Sequence, residues 1–327
     1  MPVYAGVDLG ATNVRAVVGD ERGQVIESQK RSTPQGPDGD AVTEAILGVL
    51  RDACDGAGVA PTELVAVGVG SFGPLDLAAG VIEDPANLPD TVDRIPITEP
   101  IAALIGDDDT GNVYLHNDTN AGVIGERFYS DRNPDHMVYL TISSGIGAGV
   151  TVDGEVLDGW DGNAGEVGHT IVDPEGRMSC GCGIDGHWEA YCSGNNIPRY
   201  AARLHEDEGA DTSLPIGDDE FTAADVFDAA DAGDEFARDV LERTAHWNLI
   251  GIANIVHSYA PLIIYVGGAV AVNNPEWVIE PVQERLADHV MTNVPDVQKT
   301  TLGDEVVVKG TLASAITGGT GDRSRAP

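Results

Sequence analysis

The sequence VYAGVDLGATNVRAVVGD occupies residues 3–20 and decides the fold class. Residues 3–9 and 14–19 are apolar and rich in β-branched side chains, which is typical of strands. Between them, the small polar segment Gly10-Ala11-Thr12-Asn13 is typical of a turn. A second turn at residues 21–23 leads to a third predicted strand. The chain therefore opens with a strand, a small-residue loop and another strand.

The same arrangement recurs in the middle of the chain. Residues 137–143 and 147–152 are predicted strands on either side of Ser144-Gly145-Ile146. A turn at Asp153-Gly154 precedes the start of a further strand at Glu155. This repeat is too short for a solenoid, and it indicates two related domains that face one another.

Helical periodicity and β-rich runs alternate along the rest of the chain, which indicates the α/β class. Helices are predicted for residues 41–54, 121–126, 223–230, 235–260 and 311–317, and strands for residues 64–70, 113–116 and 261–266. The segment Gly73–Pro89 is broken by glycine and proline.

Composition limits the partners that the chain can have. Its 327 residues are 42% hydrophobic, which is enough for two globular domains, and no apolar run approaches the length of a membrane span. The 54 acidic and 18 basic residues give a formal charge of −36, which argues against nucleic acid or an anionic membrane as a partner. Such a surface suits a protein that works at very high salt, where the Debye length falls to roughly 3 Å. We therefore predict a halophilic protein whose acidic residues lie mostly on the surface.

The cysteines indicate a reducing environment. The chain has four of them and no signal peptide at Met1, so we predict a cytoplasmic protein without a disulfide framework. Cys54 and Cys192 lie in helix-like or apolar surroundings and are interpreted as ordinary thiols.

The other two cysteines belong to a group of side chains with the spacing of metal ligands. The group consists of His169, Cys180, Cys182 and His187. Two thiolates and two imidazoles suit Zn²⁺, and the glycines of C-G-C-G-I-D-G-H let a short loop wrap around an ion. A lone C-x-C pair would be better explained as two unrelated loop cysteines, but here a histidine flanks the pair on each side. Because all four tetrahedral positions are filled, the predicted zinc site is structural rather than catalytic.

The two small-residue loops have a use in binding phosphate. One carries Asp8, Gly10, Thr12 and Asn13, and the other carries Ser144 and Gly145. Backbone N–H groups that are exposed where Cβ atoms are absent bind anions without lysine, and Asp8 would suit a hydrated Mg²⁺. Neither loop has the Walker A or the G-x-G-x-x-G pattern, and each taken singly is more often a hairpin turn.

Asp118 follows a predicted strand and lies just before a predicted helix. A carboxylate at such a position is either a helix cap or a catalytic group, and on its own the cap is the better interpretation.

Taken together and in this order, these segments resemble the ROK family of sugar kinases and repressors, over nearly the whole chain. The motifs are D-L-G-A-T-N-V-R from Asp8, N-D-T-N-A-G at 117–122, S-S-G-I-G-A-G at 143–149, G-E-V-G-H from Gly165, C-G-C-G-I-D-G-H-W-E from Cys180 and V-G-G-A-V at 266–270. The histidine-cysteine block is the most specific of them. The resemblance implies a two-lobed actin-like ATPase and sugar kinase (ribonuclease H-like) fold with a structural zinc loop. It also implies ATP-dependent phosphorylation of a hexose hydroxyl.

The resemblance assigns roles to sugar-side residues. It implies that Asp118 is the general base that removes the proton from the attacking sugar hydroxyl. The implied sugar ligands are Asn87 in P-A-N-L-P, Asn117, Asp118, Glu166, His169 and Glu189. One ring nitrogen of His169 would bind zinc while the other N–H is directed at a sugar hydroxyl.

On the nucleotide side, the two phosphate loops would hold ATP with Mg²⁺, and Gly267 and Gly268 resemble the adenosine-side turn. Phosphoryl transfer needs positioning and charge neutralisation more than covalent help, so one carboxylate, one Mg²⁺ and two loops suffice. Two positions depart from the family pattern: His187 replaces a usual cysteine, and Ser144 replaces a common threonine. With two thiolates instead of three, the zinc-bound site would be formally neutral, and zinc is still expected to bind there.

Glucose phosphorylated at its 6-hydroxyl is the predicted reaction, because Glu166, His169 and Glu189 match the hydroxyl-reading set of glucokinase members. N-acetylglucosamine, N-acetylmannosamine, mannose and fructose remain alternatives, as do polyphosphate or ADP as phosphoryl donors. A sugar-responsive repressor is disfavoured by the charge and because Asp8 already lies in the first loop, which leaves no room for a DNA-binding module before it. A non-catalytic sugar-binding regulator is disfavoured by the presence of Asp8, Asp118, Ser144 and Gly145.

The resemblance also implies the domain layout and the assembly. We expect a smaller N-terminal lobe over residues 1–116, joined by a returning C-terminal helix at about 303–327, and a larger lobe over residues 117–302. The family tends to form dimers and tetramers, so a homo-oligomer is expected, with a small-molecule hexose as ligand.

Overall fold

The computed structural model describes residues 2–326, and the chain divides into two compact units. The first unit comprises residues 1–135, 149–165 and 304–327. The second comprises residues 136–148 and 166–303.

Strands and helices alternate in both units, which confirms the predicted α/β class. The strands are β1 (Val3–Leu9), β2 (Asn13–Asp20), β3 (Val25–Ser32), β4 (Leu64–Ser71), β5 (Leu75–Asp76), β6 (Val81–Glu83), β7 (Arg94–Pro96), β8 (Val113–Asn117), β9 (Met137–Ile142), β10 (Ile146–Val152), β11 (Glu155–Val156), β12 (Ile263–Gly267) and β13 (Asp296–Lys299). The helices are α1 (Gly39–Ala57), α2 (Thr98–Ile105), α3 (Asp118–Tyr129), α4 (Glu189–Cys192), α5 (Ile197–Glu208), α6 (Ala223–Asp231), α7 (Glu235–Tyr259), α8 (Ala269–Asn273), α9 (Pro275–Val278), α10 (Glu280–Arg285) and α11 (Val306–Thr317).

The main sheet of the first unit has the strand order β3-β2-β1-β4-β8. β1 pairs antiparallel with β2, and β2 with β3, whereas β4 lies parallel to both β1 and β8. Because the carboxyl ends of parallel strands meet at one edge, Asp8 near the end of β1 and Asn117 at the end of β8 share that edge. The broken segment Gly73–Pro89 contributes β5 and β6 to a separate small sheet with the order β5-β6-β7.

The two faces of this sheet are covered differently. Val7 on β1 packs in one core with Ile46 of α1 and Ile101 of α2. On the opposite face, glycines bring the sheet close to α11: a Cβ at Gly6 would lie 2.6 Å from the backbone nitrogen of Leu312. Asp8 follows Gly6 by two positions and therefore points to the same face, since side chains alternate along a strand.

A second sheet repeats the strand order of the first. It runs β11-β10-β9-β12-β13, with β12 parallel to β9 and β13 and with β11 antiparallel to β10. β10 continues along the chain from residues of the second unit into residues of the first. Three sequential strands followed by two later parallel ones occur in both sheets, as the internal repeat in the sequence indicates.

α3 lies in the first unit, whereas the sequence-based layout began the larger lobe at Asn117. The reason is close packing of α3 on α11. A Cβ at Gly125 would lie 3.0 Å from the Cα of Gly310, and Ile124 and Leu312 belong to one buried cluster.

A buried arginine of α3 holds the remaining segments of the first unit together. Arg127 is 1% exposed and donates hydrogen bonds to the carbonyl oxygens of Pro134 (3.0 Å), Gly154 (2.6 Å) and Thr320 (2.9 Å). It also pairs with the carboxylate of Asp135 at 2.6 Å. Arg127 thus connects α3 both to residues 149–165 and to the C-terminal segment. Across residues 2–326, the helices are all too short or too polar to cross a lipid bilayer.

Candidate active site

The first glycine loop connects β1 to β2 as a tight turn. Gly10 N donates to the carbonyl oxygen of Asn13 at 2.9 Å, and Thr33 Oγ1 donates to the carbonyl oxygen of Gly10 at 2.7 Å. Thr12 is exposed at the tip of the turn. A tight glycine turn with an exposed threonine at its tip is compatible with an anion-binding loop.

Asp8 stands immediately before this loop and is partly buried. Burial raises the pKa of its carboxyl to about 6, and the nearby charges of Arg15 and Lys30 oppose that rise. Burial disfavours the charged form of this carboxylate, and a bound cation would stabilise it. Asp8 therefore fits the hydrated Mg²⁺ of a nucleotide.

The second glycine loop connects β9 to β10 and is braced by the segment after α4. Ser143 N donates to the carbonyl oxygen of Gly145 at 2.9 Å. From outside the loop, Gly194 N donates to Ser143 O at 2.7 Å, and Asn195 N donates to Ser144 O at 3.4 Å. Ser144 is exposed, so its hydroxyl faces solvent, as a phosphate-binding hydroxyl should.

Asn117 and Asp118 stand where β8 ends and α3 begins. Asn117 is the N-cap of α3: its Oδ1 accepts hydrogen bonds from Thr119 N at 3.0 Å and from Thr119 Oγ1 at 2.8 Å. The capping role therefore belongs to Asn117, and Asp118 is the exposed first residue of the helix. This leaves the Asp118 carboxylate at the sheet edge that also carries Asp8.

Glu166, His169 and Glu189 lie together in the second unit. His169 Nε2 is 3.8 Å from Glu166 Oε2, whereas His169 Nδ1 faces the cysteine loop. Burial raises the pKa of Glu166, the charge of Glu189 raises it further, and His169 opposes both effects. The structure thus brings together three of the predicted sugar-binding residues in one unit.

Glu189 also contacts the second glycine loop, which the sequence did not reveal. Its Oε2 accepts a hydrogen bond from Ile146 N at 2.8 Å, and its Oε1 lies 3.6 Å from Cys180 Sγ. Nothing in the spacing of these residues predicts this contact, because it arises from the folding of α4 onto the β9–β10 turn.

His169, Cys180, Cys182 and His187 converge as predicted, with their donor atoms all within 4.8 Å of one another. The two histidine Nδ1 atoms are 3.3 Å apart, Cys180 Sγ is 3.7 Å from His169 Nδ1, and Cys182 Sγ is 3.3 Å from His187 Nδ1. Zinc bonds of about 2.0–2.3 Å in a tetrahedron put neighbouring donors roughly 3.3–3.8 Å apart. The four side chains therefore fit Zn²⁺ in geometry as well as in chemistry.

The cysteine loop is held in place by contacts of its own. Tyr191 Oη donates to Asp173 Oδ2 at 2.7 Å and accepts from Met178 N at 3.0 Å. Burial is the main cause that lowers the pKa of His187, which favours the neutral imidazole that binds metal. The donor set is thus positioned by the fold and kept in a form suited to a metal.

Gly267 and Gly268 end β12 and turn into α8. A Cβ at Gly267 would lie 2.5 Å from Tyr139 Oη, and one at Gly268 would lie 2.4 Å from the carbonyl oxygen of Ile142. Gly268 also has φ of +84°, which other residues rarely adopt. Gly268 is therefore required by the backbone at this turn, whereas Gly267 leaves room for the side chain of Tyr139.

A cavity of about 420 Å³ adjoins this turn and lies among α6, α8 and α9. Its lining includes Phe227, Asp228, Ala269, Val270 and Asn273. Its lining is about half polar and half apolar, so it offers both hydrogen-bonding groups and apolar surface to a small molecule. The sequence identified the glycines of this region but not the residues of α6.

Asn87 lies on an exposed turn between β6 and β7. Within residues 2–326 its side chain makes no hydrogen bond, and the structure shows no contact from it to the other predicted site residues.

Residues 4–317 match the family model described as the ROK family. The glucokinase of Pyrobaculum calidifontis is 33% identical over 315 residues, which cover 96% of this chain and 95% of that protein. The crystal structure of the ROK hexokinase from Thermus thermophilus is similar with a TM-score of 0.81 and 31% identity, covering 95% of this chain and 96% of that one. A ROK family glucokinase from Streptomyces griseus, solved with glucose and AMPPNP, has a TM-score of 0.71 and 28% identity, covering 95% of this chain and 98% of that one.

Proposed function

The chain belongs to the ROK family, and from this premise we propose that it is an ATP-dependent hexose kinase that phosphorylates the 6-hydroxyl of glucose. The observation that carries the proposal is similarity to glucokinases over nearly the full length of both chains. Further support comes from Asp8 and Asp118 in the first unit and from the presence of both glycine loops.

We assign the general base to Asp118. Its carboxylate is exposed at the start of α3 because Asn117 takes the capping hydrogen bonds. A carboxylate at a sheet edge can accept the proton of a sugar hydroxyl as that oxygen attacks phosphorus.

We assign the phosphates of ATP to Gly10, Thr12 and Asn13 of the first loop and to Ser144 and Gly145 of the second. Asp8 would hold Mg²⁺, which supplies charge neutralisation for the phosphates when bound. Gly267 and Gly268 would lie against the adenosine, with its base in the adjoining cavity of about 420 Å³. Loops without bulky side chains let the backbone approach the nucleotide closely.

The proposed sugar ligands are Asn87, Asn117, Glu166, His169 and Glu189, together with Asp118. His169 supports this role because its Nε2 is on the Glu166 side while its Nδ1 faces the metal-binding group. Zinc held by His169, Cys180, Cys182 and His187 would fix the ring and its tautomer, so that Nε2–H can donate to a sugar hydroxyl.

Other substrates fit the same site. Mannose, fructose and the N-acetylated hexosamines share most of the hydroxyls that these residues would read, and the shape of the pocket decides among them. A non-catalytic sugar-binding regulator would retain the fold but would not require Asp118. We further propose that the protein is cytoplasmic and forms a homo-oligomer, a dimer or tetramer. Nucleic acid is not expected as a partner, because the charge of −36 opposes binding to polyanions.

ADP release in high-salt buffer with Mg²⁺-ATP tests the proposal. Glucose, mannose, fructose, N-acetylglucosamine and N-acetylmannosamine are compared for the wild type and Asp118→Ala. We expect turnover with glucose, reduced about 10²- to 10⁴-fold in the variant, because this is the usual contribution of a positioned base. Asp108→Ala is the matched control, since it removes an exposed carboxylate from a loop of the same unit.

Turnover with another sugar would replace glucose as the substrate. No turnover with any sugar, in folded and zinc-loaded protein, would favour the non-catalytic regulator. Full activity in Asp118→Ala would contradict the assignment of the base.

A further inference from the structure

Glu189 links the metal-binding group to the second glycine loop. As the first residue of α4, it follows His187 by two positions and places Oε1 3.6 Å from Cys180 Sγ. Its other carboxylate oxygen, Oε2, accepts the hydrogen bond of Ile146 N at 2.8 Å. One side chain thus touches both a predicted metal ligand and the backbone of a predicted phosphate loop.

The second glycine loop has a glycine at the position closest to the Glu189 carboxylate. A Cβ at Gly145 would lie 2.7 Å from Glu189 Oε2, so any larger residue there would require the carboxylate to shift. On its other side, Ile146 is packed by the G-E-V-G-H segment, because a Cβ at Gly168 would lie 2.3 Å from the carbonyl oxygen of Ile146. The two segments that carry the proposed sugar ligands Glu166, His169 and Glu189 therefore meet at Ile146.

The hydrogen bond matters because backbone N–H groups of a glycine loop are the groups that bind phosphate oxygens. Ile146 N follows Gly145 directly, and it already donates to an anion of the protein itself. A phosphate oxygen at this N–H would have to displace the carboxylate, and its negative charge would repel the carboxylate at short range.

We propose that Glu189 is a positioning residue that restrains the second phosphate loop until sugar binds. Without sugar its carboxylate occupies Ile146 N–H. A sugar hydroxyl that donates to the carboxylate draws it away and leaves the N–H to the phosphate of ATP. This inference rests on the proposed kinase function and gives sugar and nucleotide a positive binding coupling through one side chain.

Calorimetric titration of a non-hydrolysable ATP analogue with Mg²⁺ tests the inference, at one fixed KCl concentration and without sugar. We expect Glu189→Ala to bind the analogue about tenfold more tightly than the wild type, which lies within the usual range of coupling between two sites. Saturating glucose should tighten binding to the wild type by a similar factor.

Glu175→Ala is the matched control. It removes the same charge from an exposed residue between His169 and Cys180, and Glu175 pairs with Arg177 instead of the second glycine loop. Its sugar-free affinity for the analogue should equal that of the wild type. An equal gain in both variants would mean simple relief of charge repulsion and would overturn the inference, as would unchanged or weaker binding by Glu189→Ala.

Zinc content and circular dichroism establish that each variant is folded and loaded. If Glu189→Ala loses zinc or structure, Glu189→Gln takes its place. The neutral side chain keeps the volume but competes less well for the N–H, so binding about threefold tighter is expected. A wild type that binds no analogue, with or without glucose, would contradict the kinase function itself. If the wild type binds the analogue but the Glu189 variant binds it no more tightly, only the role of Glu189 is overturned.

Discussion

At the scale of single residues, His116 shows how burial at the sheet edge constrains a titratable group. It lies in β8 directly before Asn117, is 7% exposed, and its Nε2 is 2.8 Å from Ser314 Oγ of α11. Its Nδ1 is buried without a hydrogen-bond partner within residues 2–326. Burial lowers the pKa of His116 to about 4, so the folded protein holds this imidazole neutral across physiological pH.

We predict that His116 makes the protein less stable in mild acid. Because the unfolded chain protonates this ring near pH 6.5 and the folded one only near pH 4, the stabilisation is complete above pH 6.5 and is lost progressively towards pH 4. Between pH 7.5 and 5.5 the loss amounts to about 1.4 kcal/mol. Urea unfolding at both pH values, at fixed KCl, measures it.

His116→Gln is the comparison, since glutamine can still bond Ser314 but does not titrate. The other ionisable groups are unchanged, so the pH dependence of the wild type minus that of the variant isolates His116. Equal pH dependence in both proteins would show that the ring is not kept neutral by burial.

Residue-level chemistry could be predicted from the sequence where it depends on residue type and spacing. The convergence of Cys180, Cys182 and His187 followed from their spacing, because a short glycine-rich loop cannot hold them far apart. The bond from Ile146 N to Glu189 could not be predicted, because it requires α4 to fold back onto the β9–β10 turn. The roles of Asp118 and the sugar ligands remain predictions.

At the scale of elements, the cysteine loop before α4 combines metal ligands with a proposed sugar ligand. We predict that Cys180→Ser loses zinc and sugar affinity together, because His169 would lose the metal that fixes its ring. We expect glucose affinity to fall 10- to 100-fold, which is the usual cost of removing a group that orients a binding side chain. Metal analysis by mass spectrometry and glucose titration measure the two losses.

Cys54→Ser is the matched control, because Cys54 is a free, buried cysteine of α1 that is not part of the metal-binding group. It should keep zinc and glucose affinity even if it lowers stability. Normal glucose binding by a zinc-free Cys180→Ser would refute the link between metal and sugar.

The ends of elements were harder to predict than their existence. β1 was predicted at its observed bounds because its apolar run is bounded by a glycine turn. α3 was predicted only from Ala121, but it starts at Asp118, because Asn117 supplies the cap. The short strands β5 to β7 were missed, since strands of two or three residues carry no periodicity and are defined by their pairing alone.

At the scale of the whole molecule, the sequence predicted two related lobes, and the two sheets do share one strand order. The grouping of segments followed packing rather than chain position. Residues 149–165 belong with the first unit, where Arg127 binds the carbonyl oxygen of Gly154 and Asn120 binds Asp158. A buried arginine contact of this kind cannot be seen in a sequence, where Arg127 looks like any charged residue of an amphipathic helix.

The formal charge of −36 leads to the last prediction: the melting temperature should rise as KCl is raised from 0.1 M to 3 M. Salt shortens the Debye length from about 10 Å at 0.1 M to about 3 Å at 1 M, and this screens the repulsion among surface carboxylates that opposes the compact state. Since about 1 kcal/mol shifts the Tm by roughly 2–4 °C for chains somewhat smaller than this one, a rise of several degrees is expected. Replacing the exposed Asp108, Asp109 and Asp219 by asparagine should raise the Tm at low salt and flatten its salt dependence. A wild type that melts at a higher temperature in 0.1 M KCl than in 3 M KCl would show that the acidic surface is not an adaptation to salt.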